Sequence, residues 1–390
     1  MGRITVLSPL HIGSGEEYFT ITLHNNKRYP LEVMLDTVEN KVDLLDLTSL
    51  NKLTNKSIVS QMPKDEFFRM FKINATKVNE SKALYPVNPM HSIKAGNVYE
   101  CVKTFNKLYI PGSSLKGYII SMMWYSILKD NPDIRKYIFD NLNSWNSINN
   151  RISALQNMLI VRDIIFDSNI PSLFEAKSFG KSSPRYPNGV DIPIGILECI
   201  TPNTPLKEEN IEIIVNNTNS SIQIANQIKN TCIRSLKVLK KKGKISEDQM
   251  DKETKIINQI FDHLKDIKLW FPTVNNEVVK ENINREIEFL KKINNNKFVK
   301  DDIIYFYEEL LNKIKDGKII IRLGKHTNYY YKSIGPVFGE DFTKKYKDLF
   351  TPTTGKNQKK KTDPSIGTIN VLKSQTERFD SVLGFIEIEL

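Results

Sequence analysis

The chain has 390 residues, of which 40% are hydrophobic and 26% are charged. These ordinary globular values exclude a chain that is disordered throughout, and the length predicts two or three domains or one elaborated fold. Lys and Arg total 56 against 45 Asp and Glu, so the formal net charge is +11. That surplus indicates an anionic partner, with nucleic acid as the first candidate; a basic composition without a special partner is the alternative.

Cysteine usage and hydropathy exclude further classes. Cys101, Cys199 and Cys232 are far apart and show no CxxC spacing. This excludes a disulfide framework and a zinc ribbon, and it fits a reducing compartment. No secretory signal is visible, and the longest apolar stretch, around residues 118–128, is too short to span a bilayer. We therefore expect a cytoplasmic protein without a membrane partner, a metal or a cofactor.

In chain order, the first part of the sequence alternates strand signals with turns. Strands are predicted over residues 4–12, 18–23, 28–35, 41–47 and 108–110. Residues 72–107 are polar and loop-like. A strong helix is predicted over residues 114–129, and because its apolar residues leave almost no polar face, we expect it to be buried on several sides.

The later part of the chain combines strands with a helix-rich stretch. Strands are predicted over residues 158–167, 192–200, 210–215, 317–323 and 383–390. Residues 171–191 are rich in loop-forming residues. From residue 220 to about 290 the apolar spacing is helical, and residues 301–315 form a further amphipathic helix. The overall prediction is an α+β fold.

A possible phosphate site lies where a predicted strand enters the turn Gly112-Ser113-Ser114 and a helix leaves it. Ser113 or Ser114 can cap the helix, its first N–H groups are free, and Lys116 adds positive charge. This pattern is typical of an anion-binding helix N-terminus, with a plain capped helix as the alternative. The GxxxxGK[ST] pattern is not satisfied, so the motif does not indicate NTP hydrolysis.

A second motif is the glycine-rich run that follows His11. Gly13 and Gly15, with Ser14 between them, allow a ligand to approach the backbone closely. His11 could be a general base, a ring that stacks on a base, or a core histidine. Since no partner residue is visible, a core or binding role is favoured over catalysis.

A third motif follows the predicted strand at residues 317–323. Arg322, Gly324, Lys325 and His326 precede three tyrosines, at positions 329–331. Cations for phosphates and aromatic rings for unpaired bases are the combination that single-stranded RNA requires. Tyrosines half-buried in the core are the alternative.

The stretch from about 227 to 244 is basic and contains no acidic residue. Its cations are Lys229, Arg234, Lys237, Lys240, Lys241, Lys242 and Lys244. Such a helix face can bind phosphate groups or be solvated, and solvation is slightly favoured.

Carboxylates give little support for an enzyme. Asp163 and Asp167 could share one face of a strand and hold Mg²⁺, but no third ligand is clear, so solvated strand ends are favoured. Asp36 is a lone carboxylate. No GxSxG, HExxH or Cys–His pair is present, and the sequence predicts a protein that is not an enzyme.

Five features occur in a fixed order along the chain: residues 7–15, residues 109–117, residues 162–168, Glu198 with Thr201 and Thr204, and residues 322–324. In this order they resemble the RAMP superfamily of CRISPR-associated proteins. Within that superfamily the chain looks most like the fifth Csm subunit of type III-A effector complexes, given its length, its opening motif and its last strand.

The resemblance implies a ferredoxin-like core, a modified RRM of the backbone-subunit type, with a helical insertion or second domain. It assigns residues 1–218 to a RAMP ferredoxin-like RNA-binding domain. Residues 219–390 would then hold a helix-rich insertion plus C-terminal strands that complete a second RAMP-like unit.

The resemblance also implies a non-catalytic subunit that caps the end of the complex holding the 3′ part of the crRNA and assists crRNA maturation. Its implied partners are crRNA, target RNA, the neighbouring Csm backbone subunit and other Csm subunits. We expect the RNA contacts from His11, Gly13, Ser14, Gly15, Gly112, Ser113, Ser114, Lys116, Arg322, Gly324 and Lys325.

Three alternatives stay open at this point. A metal-independent CRISPR-repeat endoribonuclease of related fold would use His11 as general base and Lys116 to stabilise charge on phosphorus. A backbone subunit that cuts target RNA would use Asp36 as a metal-binding carboxylate. A basic scaffold would bind protein partners only.

Overall fold

The computed structural model describes residues 3–38, 55, 62–93, 95–141, 145–168, 170–180, 190–206, 213–215, 219–293, 299–327, 331, 335–338, 368–374 and 378–389. The first strands are β1 (Arg3–Val6), β2 (Gly13–Phe19), β3 (Leu23–His24), β4 (Lys27–Arg28), β5 (Tyr85–Pro86), β6 (Asn88–Pro89), β7 (Asn97–Cys101), β8 (Lys103–Thr104) and β9 (Lys107–Ile110). The later strands are β10 (Leu159–Val161), β11 (Ile164–Ile165), β12 (Ser172–Gly180), β13 (Val190–Cys199), β14 (Ile213–Val215), β15 (Ile319–Arg322), β16 (Thr368–Lys373), β17 (Phe379–Val382) and β18 (Phe385–Glu389).

The helices alternate with these strands and then dominate the region between β14 and β15. They are α1 (Leu31–Leu35), α2 (Lys64–Met70), α3 (Gly112–Asp130), α4 (Pro132–Asp140), α5 (Trp145–Gln156), α6 (Asn219–Lys241), α7 (Glu247–Lys265), α8 (Ile267–Lys291) and α9 (Lys300–Lys315). The predicted α+β class is confirmed, as is the helix-rich stretch after residue 219. No helix in the described part of the chain is long and apolar enough to cross a membrane.

The largest sheet among the described residues runs in the order β17-β16-β12-β13-β7-β2, with β6 paired to β12. At its centre, β12 and β13 are antiparallel, from the pair Ser172 and Cys199 to the pair Gly180 and Val190. β7 lies parallel to β13 and antiparallel to β2, so the glycine-rich run after His11 forms an edge of this sheet.

A smaller sheet, β1-β18-β15, joins the two ends of the chain, and α8 and α9 pack against β15. β1 and β18 are antiparallel, and β12 pairs with β16 in the larger sheet. Both pairings cross the proposed boundary between residues 218 and 219. The division into 1–218 and 219–390 therefore does not separate the sheets, and it stays a prediction.

Helix α3 lies at the centre of the main hydrophobic core, as its apolar sequence predicts. It begins at Gly112 and ends at Asp130, and Leu115, Ile119 and Ile127 on it are fully buried. The same core contains residues of β1, β15, β18, α7 and α8, among them Ile4, Ile321, Ile386, Ile260 and Phe271. α3 therefore connects the sheet at the chain ends to the helical region.

Several predicted elements differ from the structure. Residues 28–35 were predicted as a strand, but β4 ends at Arg28 and Pro30 precedes helix α1, because proline favours the start of a helix. The loop-rich assignment of residues 171–191 is wrong over β12, whose strand form depends on pairing with β13 and with the distant β16. The loop-like assignment of residues 72–107 likewise missed β7. The strand predicted over residues 41–47 lies outside the described part of the chain.

Candidate nucleic-acid interface

The structure brings two of the predicted motifs together. The backbone N–H of Lys325 donates to the carbonyl oxygen of His11 at 2.9 Å. Gly324 has a φ of +99°, and a Cβ atom there would lie 2.4 Å from the His11 carbonyl oxygen. Glycine is therefore required at 324 by backbone conformation and by close approach. We call residues 11–15 and 324–326, with Tyr99, the glycine-loop site.

The outer surface of the glycine-loop site combines a cation, an aromatic ring and open backbone. Ser14, Gly15 and Lys325 are exposed, and the Lys325 Nζ lies 5.1 Å from the centre of the Tyr99 ring. Gly15 has a φ of +96°, and nothing lies within 4 Å of the position its Cβ would take. Cations and aromatic faces are what RNA phosphates and unpaired bases require. Exposed Glu16 limits this basic surface on one side.

His11 lies beneath the glycine-rich run and not on its surface. Its side chain is 0% exposed, and its Nδ1 lies 2.7 Å from the carbonyl oxygen of Glu198. Because a carbonyl only accepts, Nδ1 carries the proton and Nε2 is an acceptor, 3.2 Å from the place of a Gly13 Cβ. Burial lowers the pKa of His11 to about 4, with smaller contributions from His326 and Lys325. At neutral pH His11 is thus an uncharged support beneath the start of β2, and the direct RNA contact predicted for it would need this strand to move.

A buried hydrogen-bond network holds Glu198, the residue whose backbone carbonyl oxygen accepts the hydrogen bond from His11. The Glu198 carboxylate is fully buried and accepts hydrogen bonds from Tyr18 and Tyr85 at 2.8 Å and from the backbone N–H of Cys101 at 2.9 Å. The Nζ of Lys103 forms an ion pair with it at 2.5 Å. Sequence reasoning missed these donors, because they come from separate segments and no local pattern connects them.

We expect the protein to lose stability as the pH falls from 6.5 to about 4. In this window His11 of the unfolded chain binds a proton that the folded state resists, so the unfolded state is favoured. The shift from 6.5 to about 4 corresponds to roughly 3 kcal/mol. Urea denaturation across the window measures it.

The matched control is His11→Asn, since the amide of asparagine can donate to the Glu198 carbonyl oxygen but does not titrate. Subtracting its profile removes the contributions of other groups, including His24, whose pKa is also lowered by burial. Identical pH profiles for both proteins would contradict the assignment.

Arg322 does not have the exposed position predicted for an RNA contact. Its side chain is 2% exposed, and it donates to both carboxylate oxygens of Glu286, at 2.7 and 2.8 Å. Its Nε donates to the carbonyl oxygen of Leu383 at 2.8 Å, and its guanidinium lies 4.8 Å from the centre of the buried Tyr331 ring. The prediction for Arg322 is therefore corrected to a structural role. Tyr331 is core, while Tyr329 and Tyr330 lie outside the described residues.

The start of helix α3 also differs from the prediction. The backbone N–H of Gly112 donates to the Asp163 carboxylate at 2.7 Å, and neither Ser113 nor Ser114 caps the helix. The protein's own carboxylate thus occupies the position assigned to a phosphate. Exposed Ser113 and half-buried Ser114 and Lys116 are the parts of the motif that stay available.

The other carboxylates have structural surroundings. Asp163 and Asp167 do not share one strand, because β10 and β11 are separate, and Asp167 forms an ion pair with Lys107 at 2.9 Å. Asp36 lies at the end of α1 and is exposed. Within the described ranges, no group of three or more His, Cys, Asp or Glu side chains could hold a metal ion.

Comparisons with known proteins agree with this architecture. No curated protein matches the chain. One similar solved chain comes from a cryo-EM structure of a Csm-crRNA-target RNA ternary complex in a type III-A CRISPR-Cas system, with 17% identity, a TM-score of 0.59 and coverage of 100% of both chains. A second is the crystal structure of T.onnurineus Csm5, with 17% identity, a TM-score of 0.51 and coverage of 98% of this chain and 99% of that one. A family model described as the RAMP superfamily matches residues 3–381. The chain belongs to the RAMP superfamily and has the expected fold, α+β with a ferredoxin-like core.

Proposed function

We propose that this chain is a non-catalytic RNA-binding subunit of a type III-A CRISPR effector ribonucleoprotein in the cytoplasm. It would cap the end of the complex that holds the 3′ part of the crRNA and assist crRNA maturation. Its partners would be crRNA, target RNA, the neighbouring Csm backbone subunit and other Csm subunits. The observation that carries the proposal is the similarity of fold, over the full length of both chains, to a chain in a complex of Csm, crRNA and target RNA.

The glycine-loop site supports the RNA-binding part of the proposal. Lys325 can neutralise a phosphate, and the open space beside exposed Gly15 allows a ligand to approach the backbone closely. Such contacts position the RNA backbone and do not read its sequence. We therefore expect binding that is salt-dependent and largely independent of sequence.

The surroundings of His11 favour a structural role over the endoribonuclease alternative. A general base must come within hydrogen-bond reach of the hydroxyl it deprotonates. The Nε2 of His11 is buried, and a pKa of about 4 makes the ring a weak base at neutral pH. Purified protein should leave CRISPR-repeat RNA intact, in EDTA as well as with Mg²⁺. A discrete cut that is lost in His11→Ala would overturn the non-catalytic proposal.

RNA titration at several salt concentrations tests the site directly. We expect Lys325→Gln to weaken binding of single-stranded RNA several-fold and to reduce the log–log salt slope by about 0.7, the share of one phosphate. Lys280→Gln, which removes one exposed charge from α8, is the matched control and should change neither value appreciably. Equal effects of the two substitutions would exclude the glycine-loop site as the contact.

A further inference from the structure

Helix α6 carries a one-sided basic surface that the glycine-loop site does not use. No acidic residue occurs between residues 219 and 244. Ala225, Cys232 and Leu236 form the buried face of the helix. The exposed cations of the helix and of the turn that follows it are Arg234, Lys237, Lys241, Lys242 and Lys244. We call these five residues the α6 basic stripe.

No carboxylate among the described residues neutralises the α6 basic stripe. Lys240 forms an ion pair with Glu247, and the Lys229 Nζ lies 4.6 Å from the centre of the Phe261 ring. None of the five stripe residues has an ion pair or a cation–π contact within the described part of the chain. Lys229 and Lys240 therefore contact other parts of the protein, whereas the five residues of the α6 basic stripe face solvent.

The arrangement of the stripe fits a polyanion. Arg234, Lys237 and Lys241 are successively three and four residues apart, so they lie on one helix face and each is about one 5.4 Å turn from the next. Like charges this close repel each other, and a chain of phosphates relieves the repulsion while it releases its own counterions.

An acidic protein surface fits the stripe less well. Among the described side chains of α6, the exposed large apolar residues are Ile224 and Val238, 53% and 49% exposed. Their separation along the helix is about 21 Å, so they form no contiguous apolar centre of the kind that specific protein interfaces bury. The surface is a row of separate charges, which suits an RNA backbone.

We propose that the α6 basic stripe binds the phosphate backbone of single-stranded RNA at a surface separate from the glycine-loop site. The proposal rests on the RNA-binding function above. It adds a second RNA-contacting surface, so that a longer segment of RNA is bound. It assigns the stripe to backbone contacts without sequence preference.

The test compares two triple variants of the full-length protein that lose the same charge. One is Arg234→Gln, Lys237→Gln and Lys241→Gln on α6, and the other is Lys255→Gln, Lys268→Gln and Lys280→Gln on α7 and α8, at positions that are also exposed. Each is titrated with a short and a long oligouridylate after circular dichroism and thermal melting have confirmed folding.

The α6 variant should bind the long RNA at least about ten-fold more weakly, with a salt slope reduced by about 2, three times the share of one phosphate. Its affinity for the short RNA should stay near that of the wild type. The control variant should keep the affinity and the salt slope of the wild type with both RNAs. If both triple variants lost the same affinity for the long RNA, the loss would be due to net charge alone, and the proposal would be overturned. Unchanged affinity of the α6 variant would overturn it too, and would favour an acidic protein partner. Wild-type protein that binds neither RNA would instead refute the RNA-binding function itself.

Discussion

Arg322→Gln should lower the free energy of unfolding by about 3–5 kcal/mol, because it leaves the Glu286 carboxylate buried without its charge partner. The Glu286 side chain is 1% exposed, and the Tyr307 hydroxyl also donates a hydrogen bond to it. Glutamine is also too short to keep the bond to the Leu383 carbonyl oxygen together with the contact to Glu286. Chemical denaturation measures the change.

The double variant Arg322→Gln and Glu286→Gln is the control. It removes both charges and keeps an acceptor for the Tyr307 hydroxyl, so it should be more stable than Arg322→Gln alone. If Arg322→Gln were as stable as the wild type but lost RNA binding, the original prediction of an RNA contact at Arg322 would be restored.

Gly112→Ala should destabilise the fold by about 3 kcal/mol or more, because the added methyl group meets backbone and not a movable side chain. Its Cβ would lie 2.0 Å from the Val161 carbonyl oxygen and 2.8 Å from the Arg162 carbonyl carbon. Helix α3, at the centre of the core, would have to move away from the segment that holds Asp163. Thermal melting measures the loss.

Gly117→Ala is the matched control on the same helix. Nothing lies within 4 Å of the position of its Cβ, so the better helix propensity of alanine should make it neutral or stabilising by up to about 1 kcal/mol. Equal stability of the two variants would contradict the close packing at Gly112. Because Gly112 variants disturb the fold, Ser113→Ala and Lys116→Glu are the substitutions that test a phosphate contact at this helix start.

The sequence predicted elements best where one segment carries its own signal, such as the amphipathic period of α9 and the almost wholly apolar surface of α3. Helices α3 and α9 were predicted within two residues at each end, since their burial patterns are local. β12 was missed because its strand form comes from β13 and β16, which lie beyond it in the chain. Propensity cannot reveal such pairing.

At the candidate site, too, local patterns were predicted and long-range contacts were missed. The contact between the segments at His11 and Gly324 was not predicted, although both motifs were recognised as candidate RNA-binding sites. The burial of Arg322 was missed because its partner Glu286 lies on a separate helix, and a basic residue after a strand gives no sign of a distant carboxylate. Motif composition identified residues at the site, and long-range pairing decided which of them face solvent.

Affinity purification of the tagged chain from cells that express the other Csm subunits and a CRISPR array, with sequencing of the RNA that co-purifies, tests membership in the effector most directly. Wild-type protein should retain the other subunits and crRNA, and Lys325→Glu should retain the subunits with less crRNA crosslinked to this chain. Recovery of a folded chain that carries neither crRNA nor Csm subunits would contradict the proposed function.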